Sequence, residues 1–555
     1  MKKLLTLILC ILIALCAAGA LAEGAGGLTR DVLVLFTSDV HCGVDQNFGY
    51  AGLQAVRDAA VARGDHVLLV DNGDAIQGES IGLLTFGGAS IKLMNALKYD
   101  IAIPGNHDFD YGTDRFLKLA ELAEFPYICC NLRKDGELIF PPYLIREFDG
   151  MKIAFVGATT PTTITTSTPR FFQDDEGRFI YDFDQDLSGA KLYADIQEAV
   201  DDARGEGADY VILMAHLGNT GTFQPYTYAD VVEHVAGLDA VLDGHSHDTD
   251  KVVMKDASGQ EVVRQACGTK MACIGWLRIS AKDGSVDTGL YTWDNDVPAP
   301  ELLGIDNALS RLVDRETFAV RALLSGRVGT ANVELTISDP VAKDEIGRPL
   351  RLVRRTETNL GDLCADAIRE ASGADIAVEC GGNVRVNIRE GEITVNDCLN
   401  VLPFGNHLVK LEVTGQQILD ALEWGVRMTP EENGAFLQCS GMTYEIDMRI
   451  ESSCTWDENG MFTGVAGDYR VRNVKVHGEP LEPDRLYTIA SQDYSLLDHG
   501  DGLTAFDGAK LLWVSENLDY TYLVSYIRDT LGGVIGEGYE NPYGQERIIA
   551  IEAAP

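Results

Sequence analysis

Residues 31–41 read DVLVLFTSDVH, an apolar run that ends abruptly at Asp39 and His41. A short continuous apolar run is typical of a strand that is buried on both faces. Side chains two positions apart in an extended chain lie on one face, so Asp39 and His41 can point to the same side. The stretch therefore predicts a buried strand that carries two metal-competent side chains at its carboxyl end.

Four more apolar runs in the first half end in the same kind of residue. The polar residues that follow them are, in order, Asp74, Asn106, His216, and His245 with His247. Helix-like stretches separate the runs, at 51–63, 91–99, 115–124 and 192–204. This β-α-β alternation predicts a layered α/β domain over 29–300, with its site on loops at the carboxyl ends of strands.

The strand-end residues have the composition of a metal site. Imidazoles, carboxylates and an amide oxygen suit divalent cations such as zinc or manganese, and one ion would not need so many ligands. We expect two adjacent cations with Asp74 as the shared bridge. Each motif alone is more often structural, but five of them in strand-end positions point to function.

The second half follows a different pattern. Residues 301–324 are helical and charged, and predict a linker helix that carries the hinge between two domains. Over 325–553, helix-like stretches near 360–371 and 415–426 stand among strand-like runs. We predict a second, α+β domain.

Residues 1–22 have the pattern of a secretory signal peptide. Lys2 and Lys3 precede an apolar run that ends in small residues, which predicts cleavage near Glu23 and a periplasmic or secreted protein. No later stretch predicts a membrane span. Export permits disulfides, so pairs Cys267–Cys273 and Cys439–Cys454 and buried free thiols both stay open.

Charge limits the partners of the chain. The 555 residues carry a formal net charge of −40, which argues against a nucleic acid polymer, because Lys and Arg contacts to phosphates supply most of that affinity. A small nucleotide held by metals is still compatible with this charge. The sequence leaves the oligomeric state open.

The ordered motifs DVH, GD, GNHD, AH and GHSH resemble those of the calcineurin-like metallophosphoesterases. In the second half, ETNLGDL (357–363), GGNVR (381–385), PFGN (403–406) and GDG (500–502) resemble the C-terminal, substrate-binding domain of the 5′-nucleotidase and 2′,3′-cyclic phosphodiesterase family. The resemblance covers nearly all of the chain after the signal segment.

The resemblance implies roles for the metal and catalytic residues. One metal would be held by Asp39, His41, Asp74 and His247, and the other by Asp74, Asn106, His216 and His245. His107 would stabilise charge on the reacting phosphoryl group, with Asp110 holding its imidazole. Some family members have Gln where His247 stands, which suggests a different metal preference here.

The resemblance also implies a substrate site in the second domain. Arg385 and Arg354, or Arg355 in its stead, fit phosphate recognition by a planar fork. Phe404 matches one of two aromatic residues that clamp the nucleobase, and Asn406 lies in the same motif. Tyr494 is the nearest second aromatic, and Asp501 would orient the ribose. The chain departs from the family at Cys380, Asn383 and His499, and the segment 494–501 is one residue longer.

We therefore predict an exported 5′-nucleotidase that hydrolyses nucleoside monophosphates to nucleoside and phosphate. The alternatives are a 2′,3′-cyclic nucleotide 2′-phosphodiesterase with 3′-nucleotidase activity and a nucleotide-sugar hydrolase, since the same metal site would serve all three. A non-catalytic nucleotide-binding protein would lack metal ligands or His107, and the chain has them all.

Overall fold

The computed structural model describes residues 27–219, 224–292, 306–343 and 349–551. The predicted signal segment 1–22 lies outside these residues, as does the start of the predicted linker at 301–305. Across the described ranges, no helix has the length and apolar character needed to cross a membrane.

Two stacked sheets form the centre of the first domain. The first sheet has the strand order β14-β13-β1-β2-β3, with bounds Val286–Thr292, Cys273–Ile279, Val32–Thr37, His66–Asp71 and Ile101–Ala102. The second sheet has the order β11-β12-β10-β9-β7-β6, with bounds Lys251–Lys255, Glu261–Ala266, Ala240–Asp243, Tyr210–His216, Met151–Thr159 and Tyr143–Phe148. β1, β2 and β3 run parallel, and so do β7, β9, β10 and β12.

The two sheets pack face to face over a shared apolar core. Val34 and Phe36 of β1 meet Phe155 of β7, Met214 of β9 and Leu242 of β10 in this core, and all five are fully buried. Helices cover the outer faces, and their bounds are α1 Gly49–Arg63, α2 Ser80–Thr85, α3 Gly88–Leu97, α4 Thr113–Leu122, α5 Thr163–Thr166, α6 Ala190–Gly205 and α7 Tyr228–His234. A small sheet adds β5-β4-β8, with bounds Glu137–Leu138, Arg133–Lys134 and Tyr181–Asp182.

The linker is a helix over its described part, α8 Ala308–Leu324. Asn307 caps its start, accepting from the Ser310 amide at 2.7 Å. Leu309 and Val313 are buried in the core of the first domain, and Lys92 Nζ bonds Glu316 Oε1 at 2.8 Å. The carboxyl end of α8 contacts the second domain, where Leu324 packs in one buried cluster with Leu399.

The second domain is built on a five-stranded sheet of order β19-β16-β25-β18-β26. Its strands are Leu437–Ser440, Ile376–Cys380, Leu486–Gln492, His407–Thr414 and Lys510–Leu518. Three smaller sheets complete the strands: β17-β15-β27 (Gly391–Thr394, Arg327–Ala331, Val534–Ile535), β24-β23-β20-β28 (Glu479–Pro480, Val471–Val476, Met442–Asp447, Ile548–Ile551) and β21-β22 (Cys454–Trp456, Phe462–Val465). The helices are α9 Asn359–Ser372, α10 Val395–Val401, α11 Gly415–Val426, α12 Asp493–Leu496 and α13 Asp519–Ser525.

The predicted fold class, a layered α/β domain followed by an α+β domain, is confirmed. The helices expected at 51–63, 91–99, 115–124 and 192–204 are present, each beginning two or three residues earlier than expected. Cys267, Cys439 and Cys454 are buried free thiols, so of the two alternatives left open by the sequence the structure has free thiols and neither disulfide forms. The turn at 267–273 brought its cysteines close in sequence, but spacing alone does not fix the side-chain geometry that a disulfide needs.

Candidate active site

The predicted metal ligands meet at one edge of the two stacked sheets. Asp39 follows β1, Asp74 follows β2, Asn106 follows β3, His216 ends β9, and His245 follows β10. These strands are parallel neighbours within their sheets, so their carboxyl ends share an edge. Asp39, Asp74, Asn106 and His216 are at most 1% exposed.

The backbone turns sharply where the ligands leave their strands. Asp39, His41, Asp74, His245 and His247 all have positive φ, between 46° and 76°. Such strain in non-glycine residues is kept where the surrounding structure fixes it, as at functional sites. Gly105 and Gly244 make room for the turns, because a Cβ on either would lie 2.2 Å from Asp74 Oδ1 or from Ser38 Oγ respectively.

Two triads of candidate ligand atoms each fall within 4.8 Å: Asp39, His41 and His247, and Asp39, Asp74 and His216. Asp39 Oδ1 lies 3.4 Å from His247 Nε2 and 3.9 Å from His216 Nε2. Asp74 Oδ2 lies 3.2 Å from His216 Nε2 and 3.7 Å from His41 Nε2. Each of the two carboxylates, Asp39 and Asp74, therefore lies within 3.9 Å of a histidine from each of the two predicted metal positions.

Backbone carbonyls set the orientation of two imidazoles. His41 Nδ1 lies 3.0 Å from the Gln77 carbonyl, and His216 Nδ1 lies 2.7 Å from the Asn72 carbonyl. With Nδ1–H donating to a carbonyl, Nε2 keeps its lone pair for a metal. This is the arrangement that metal-ligating histidines have in most proteins.

The donor set fits divalent cations. The Oδ1 of Asn106 is buried and has no hydrogen-bond partner within the part of the chain that the structure describes. Burial lowers the pKa of His41, His245 and His247, which favours the neutral imidazole that a metal requires. Burial also acts to lower the pKa of His216, but the carboxylates of Asp74 and Asp39 raise that pKa to about 10. An orphaned amide oxygen among imidazoles and carboxylates is what a cation would satisfy.

A buried ion-pair cluster lies behind the loop that carries His245 and His247. Arg264 on β12 bonds Asp243 Oδ2 at 2.7 Å and Asp248 Oδ1 at 2.5 Å, and all three side chains are fully buried. Asp243 Oδ1 accepts from the Leu217 amide at 3.0 Å, directly after His216. The cluster therefore connects the two loops that carry three of the candidate ligands.

His107 and Asp110 form a close pair beside this metal site. His107 Nδ1 lies 2.7 Å from Asp110 Oδ2, and Ser167 Oγ donates to Asp110 Oδ1 at 2.8 Å. Burial raises the pKa of Asp110, although His107 and Ser167 oppose that shift. The amide of His107 donates to Asp74 Oδ1 at 2.8 Å, which fixes the imidazole relative to the metal ligands.

A cavity of about 640 Å³ extends from these residues to the second domain. It is lined by every residue that the sequence assigned to substrate binding: Arg354, Arg385, Phe404, Asn406, Tyr494 and Asp501. The Phe404 ring lies 5.7 Å from the His107 ring and 5.6 Å from the Arg385 guanidinium carbon. Gln185 Nε2 also donates to Asn459 Oδ1 at 3.0 Å across the domains.

A short 3₁₀ turn, Leu352–Arg354, decides which arginines face the cavity. Three residues per turn align positions i and i+3, so Arg351 and Arg354 share a side. Both line the cavity, whereas Arg355 donates from Nε to the Pro430 carbonyl at 2.6 Å. Burial, with Arg351 and Arg385 nearby, lowers the pKa of Arg354 to about 9.

Sequence reasoning missed several residues of the cavity wall. Arg351 lies in the cavity and bonds Glu432 Oε2 at 2.7 Å. Arg427 stacks on Trp424 with its guanidinium carbon 3.6 Å from the ring centroid, and both line the cavity. RLVRR at 351–355 is a visible cluster of charge, but nothing in it reveals a 3₁₀ turn; for Arg427 and Trp424 we find no local signal.

Tyr494, at the start of the segment 494–501 that is one residue longer than in the family, lines the cavity. The Tyr494 hydroxyl accepts from the Asp501 amide at 3.1 Å and donates to the Thr165 carbonyl of the first domain at 3.4 Å. His499, which stands where the family has Gly, adopts a φ of 61° and bonds Asp507 through Nε2 at 2.6 Å. Asn383, another position at which the sequence departs from the family, donates from Nδ2 to Gln492 Oε1 at 3.1 Å.

Two family profiles match this chain over most of its length. The calcineurin-like phosphoesterase profile matches residues 32–249, and the 5′-nucleotidase C-terminal domain profile matches residues 327–508. The chain belongs to the calcineurin-like phosphoesterases that carry a 5′-nucleotidase C-terminal domain. As a member of that family it is a metal-dependent phosphoester hydrolase.

Relatives of this phosphoesterase include proteins of similar and of greater length. A 5′-nucleotidase of Vibrio parahaemolyticus is 28% identical over 528 residues, which cover 89% of this chain and 88% of that protein. The trifunctional nucleotide phosphoesterase YfkN of Bacillus subtilis is 26% identical, over 81% of this chain and 33% of its own length. The crystal structure of a 5′-nucleotidase precursor from Thermus thermophilus shares the fold, with a TM-score of 0.76, 24% identity, and coverage of 94% of this chain and all of that one.

Proposed function

We propose that this phosphoesterase is an exported nucleotidase that releases phosphate from nucleoside 5′-monophosphates with two divalent cations. One observation carries the proposal: four candidate metal ligands (Asp74, Asn106, His245 and His247), the His107–Asp110 pair, and Phe404 with Arg385 above its ring all line one cavity. The relative named as a 5′-nucleotidase over nearly the same length supports this substrate class. The signal-like pattern of residues 1–22 supports export.

Seven residues would hold the cations: Asp39, His41, Asp74, Asn106, His216, His245 and His247. When bound, two divalent cations supply a hydroxide nucleophile at neutral pH and offset charge on the phosphoryl oxygens. The imidazole ligands suit zinc, and the carboxylate and amide oxygens suit manganese, so both cations are candidates.

His107 and Asp110 would handle charge and the proton at the leaving group. Asp110 would accept from Nδ1–H, which orients the ring and leaves Nε2 to exchange a proton with the leaving group. Ser167 keeps the other oxygen of Asp110 occupied, which fixes the carboxylate plane. A hydrogen bond donated from Nε2 strengthens as negative charge grows on the departing oxygen.

Three guanidinium groups would orient the phosphate. Arg351, Arg354 and Arg385 line the cavity. Of these three, only Arg351 forms a salt bridge with another described residue. Partly desolvated guanidinium groups without carboxylate partners favour a dianionic ligand. A chain of net charge −40 repels an anionic substrate at long range. Two bound divalent cations and these arginines would offset that repulsion locally.

Phe404 and Tyr494 would hold the nucleobase. Stacking on an aromatic ring accepts every base, since each has a π-face, and so predicts broad base tolerance. Asp501, next to Tyr494 in space, would accept from ribose hydroxyls. Burial raises the pKa of Asp501, while Arg427 and Arg354 oppose this shift.

A second candidate function is hydrolysis of 2′,3′-cyclic nucleotides with 3′-nucleotidase activity, and a third is hydrolysis of nucleotide sugars. The name of the Bacillus relative, a trifunctional nucleotide phosphoesterase, supports both of these candidate functions. The cavity, which is also lined by Trp424 and Trp456, supports them as well. The metal site serves all of these reactions equally, because each requires an activated water at phosphorus.

The test is phosphate release by the chain after chelation and reloading with Mn²⁺ or Zn²⁺. AMP, 3′-AMP, 2′,3′-cyclic AMP and a nucleotide sugar are compared side by side, with a His107→Ala variant as the background control. We expect metal-dependent turnover of AMP to exceed that of the others. Preference for the cyclic or 3′ substrate would favour the second function, and no release from any of them would refute the substrate class.

A further inference from the structure

A second cavity, here called the rear cavity, adjoins the metal site. Its volume is about 140 Å³, roughly ten times what one water molecule needs. Four residues line both cavities: His247, Arg351, Arg354 and Arg385. Phe404, Tyr494 and Asp501 line the main cavity and do not line the rear cavity. A group in the rear cavity would therefore lie beside the phosphate site and away from the nucleoside.

The charges in the rear cavity favour an anion. Four cationic side chains line it, Lys270, Arg351, Arg354 and Arg385, against one carboxylate, Glu79. Lys270 Nζ and Glu79 Oε1 are paired at 2.5 Å. With Glu79 matched by Lys270 and Arg351 paired with Glu432, Arg354 and Arg385 leave an excess of positive charge that the lining residues do not offset.

An unused hydrogen-bond donor lines the same cavity. Gln77 is 1% exposed, and its Nε2 has no hydrogen-bond partner among the residues that the structure describes. A buried amide donor left without a partner costs free energy, so its presence in a native site calls for a ligand. Asn400, another amide that lines the cavity, has an Oδ1 without a hydrogen-bond partner in the described part of the chain.

We propose that the rear cavity, which borders the metal centre at His41 and His247, is a binding site for a second inorganic phosphate that does not use the metals as ligands. The donor from Gln77 and the charges of Lys270 and the arginines suit a compact tetrahedral oxyanion. That this phosphate is the reaction product rests on the proposed function. Phosphate released at the metals would pass the shared arginines into this cavity without crossing the nucleoside site.

The proposal has a kinetic signature. Phosphate that binds only at the metals competes with substrate, whereas phosphate in the rear cavity can bind while substrate occupies the main cavity. We expect mixed inhibition of AMP hydrolysis by inorganic phosphate in the Mn²⁺-loaded enzyme, with a competitive and a noncompetitive component. Purely competitive inhibition of the wild type would overturn the proposal.

Two variants should move the noncompetitive inhibition constant in opposite directions. Lys270→Met removes a cation and exposes Glu79, which should raise the constant by roughly tenfold or more. Glu79→Gln removes the carboxylate and frees Lys270, which should lower it by roughly threefold. The matched control is Lys251→Met, since Lys251 pairs with Asp287 at 2.7 Å and lines neither cavity. Shifts in the same direction, or none, would refute the assignment.

Calorimetry separates this inference from the proposed function. Titration of the Mn²⁺-loaded protein with inorganic phosphate should give two sites per chain in the wild type and one in Lys270→Met, whether or not AMP is turned over. A single site that Lys270→Met leaves unchanged would overturn the inference even in an active nucleotidase.

The remaining source of such an anion is a second phosphoryl group of the substrate. If Lys270→Met raises the KM for ADP and leaves phosphate inhibition unchanged, the rear cavity holds a substrate group and not free phosphate. Inhibition that changes while the ratio of the KM values for ADP and AMP stays constant supports the phosphate site.

Discussion

Replacing Arg264 by Met removes the centre of the buried ion-pair cluster behind the His245–His247 loop. Asp243 and Asp248 would then both be fully buried carboxylates without a cation. The guanidinium also lies 4.3 Å above the Tyr228 ring, a contact that Met only partly replaces. The variant should therefore lower both the stability of the first domain and the order of the loops that carry three candidate ligands.

The magnitude follows from the contacts. Removing one partner of a buried, hydrogen-bonded ion pair typically costs about 3–5 kcal/mol. For a domain of this size, each kcal/mol lowers Tm by about 2–4 °C, so we expect a fall of roughly 6–20 °C. Loss of the side chains that orient metal ligands typically weakens metal affinity by about 10–100-fold.

Thermal melting and Mn²⁺ titration measure the two effects separately. The control is Arg278→Met, because Arg278 is 42% exposed and lies 3.7 Å from Asp31, an ion pair worth little at the surface. Arg264→Lys keeps one charge but cannot bridge both carboxylates and should fall between wild type and Arg264→Met. A melting temperature of Arg264→Met within 2 °C of the control, about the effect of 1 kcal/mol, would refute the reasoning.

Four more outcomes are expected. His107→Ala should lower kcat by roughly 10²–10⁴ with metal content unchanged by elemental analysis, and an unchanged kcat would exclude the assigned role. Ser167→Ala, which frees one oxygen of Asp110, should lower kcat by roughly fivefold, the loss of a single hydrogen bond, and shift the pH–rate profile; a change in KM alone would contradict a positioning role. Phe404→Ala should raise the KM for AMP at least about fivefold but not that for a phosphate ester without a base. Burial raises the pKa of Asp519 to about 8 from 3.8, so wild-type stability falls as pH rises through that interval; the Tm of Asp519→Asn should fall less between pH 5 and pH 8, and parallel curves would count against a protonated Asp519.

The candidate metal residues could be found from sequence because their signal is local. Each follows an apolar strand directly, and parallel strands bring their carboxyl ends to one edge whatever the rest of the fold does. Asp39 and His41 illustrate this, since the strand before them is fully buried along its length. The layered α/β class followed from the same alternation.

Several residues that line the main cavity could not be predicted from the sequence. Whether Arg354 or Arg355 faces the ligand is decided by a single 3₁₀ turn, and the two residues are chemically identical. Trp424 and Arg427 come from the end of α11, where apolar periodicity explains Trp424 as core. The cavity that Gln77 lines is completed by residues of the second domain, such as Arg351 and Asn400, which no local pattern around Gln77 indicates.

The left-handed backbone at five candidate ligand positions restricts how this protein can evolve. Asn, Asp and His tolerate positive φ far better than β-branched residues do. A substitution at Asp39, Asp74 or His247 must therefore satisfy both the cation and the turn. Val, Ile or Thr would be rejected there for backbone reasons even if the metal were dispensable. The route to a different metal preference is consequently narrow, and it runs through the few residue types that suit both demands.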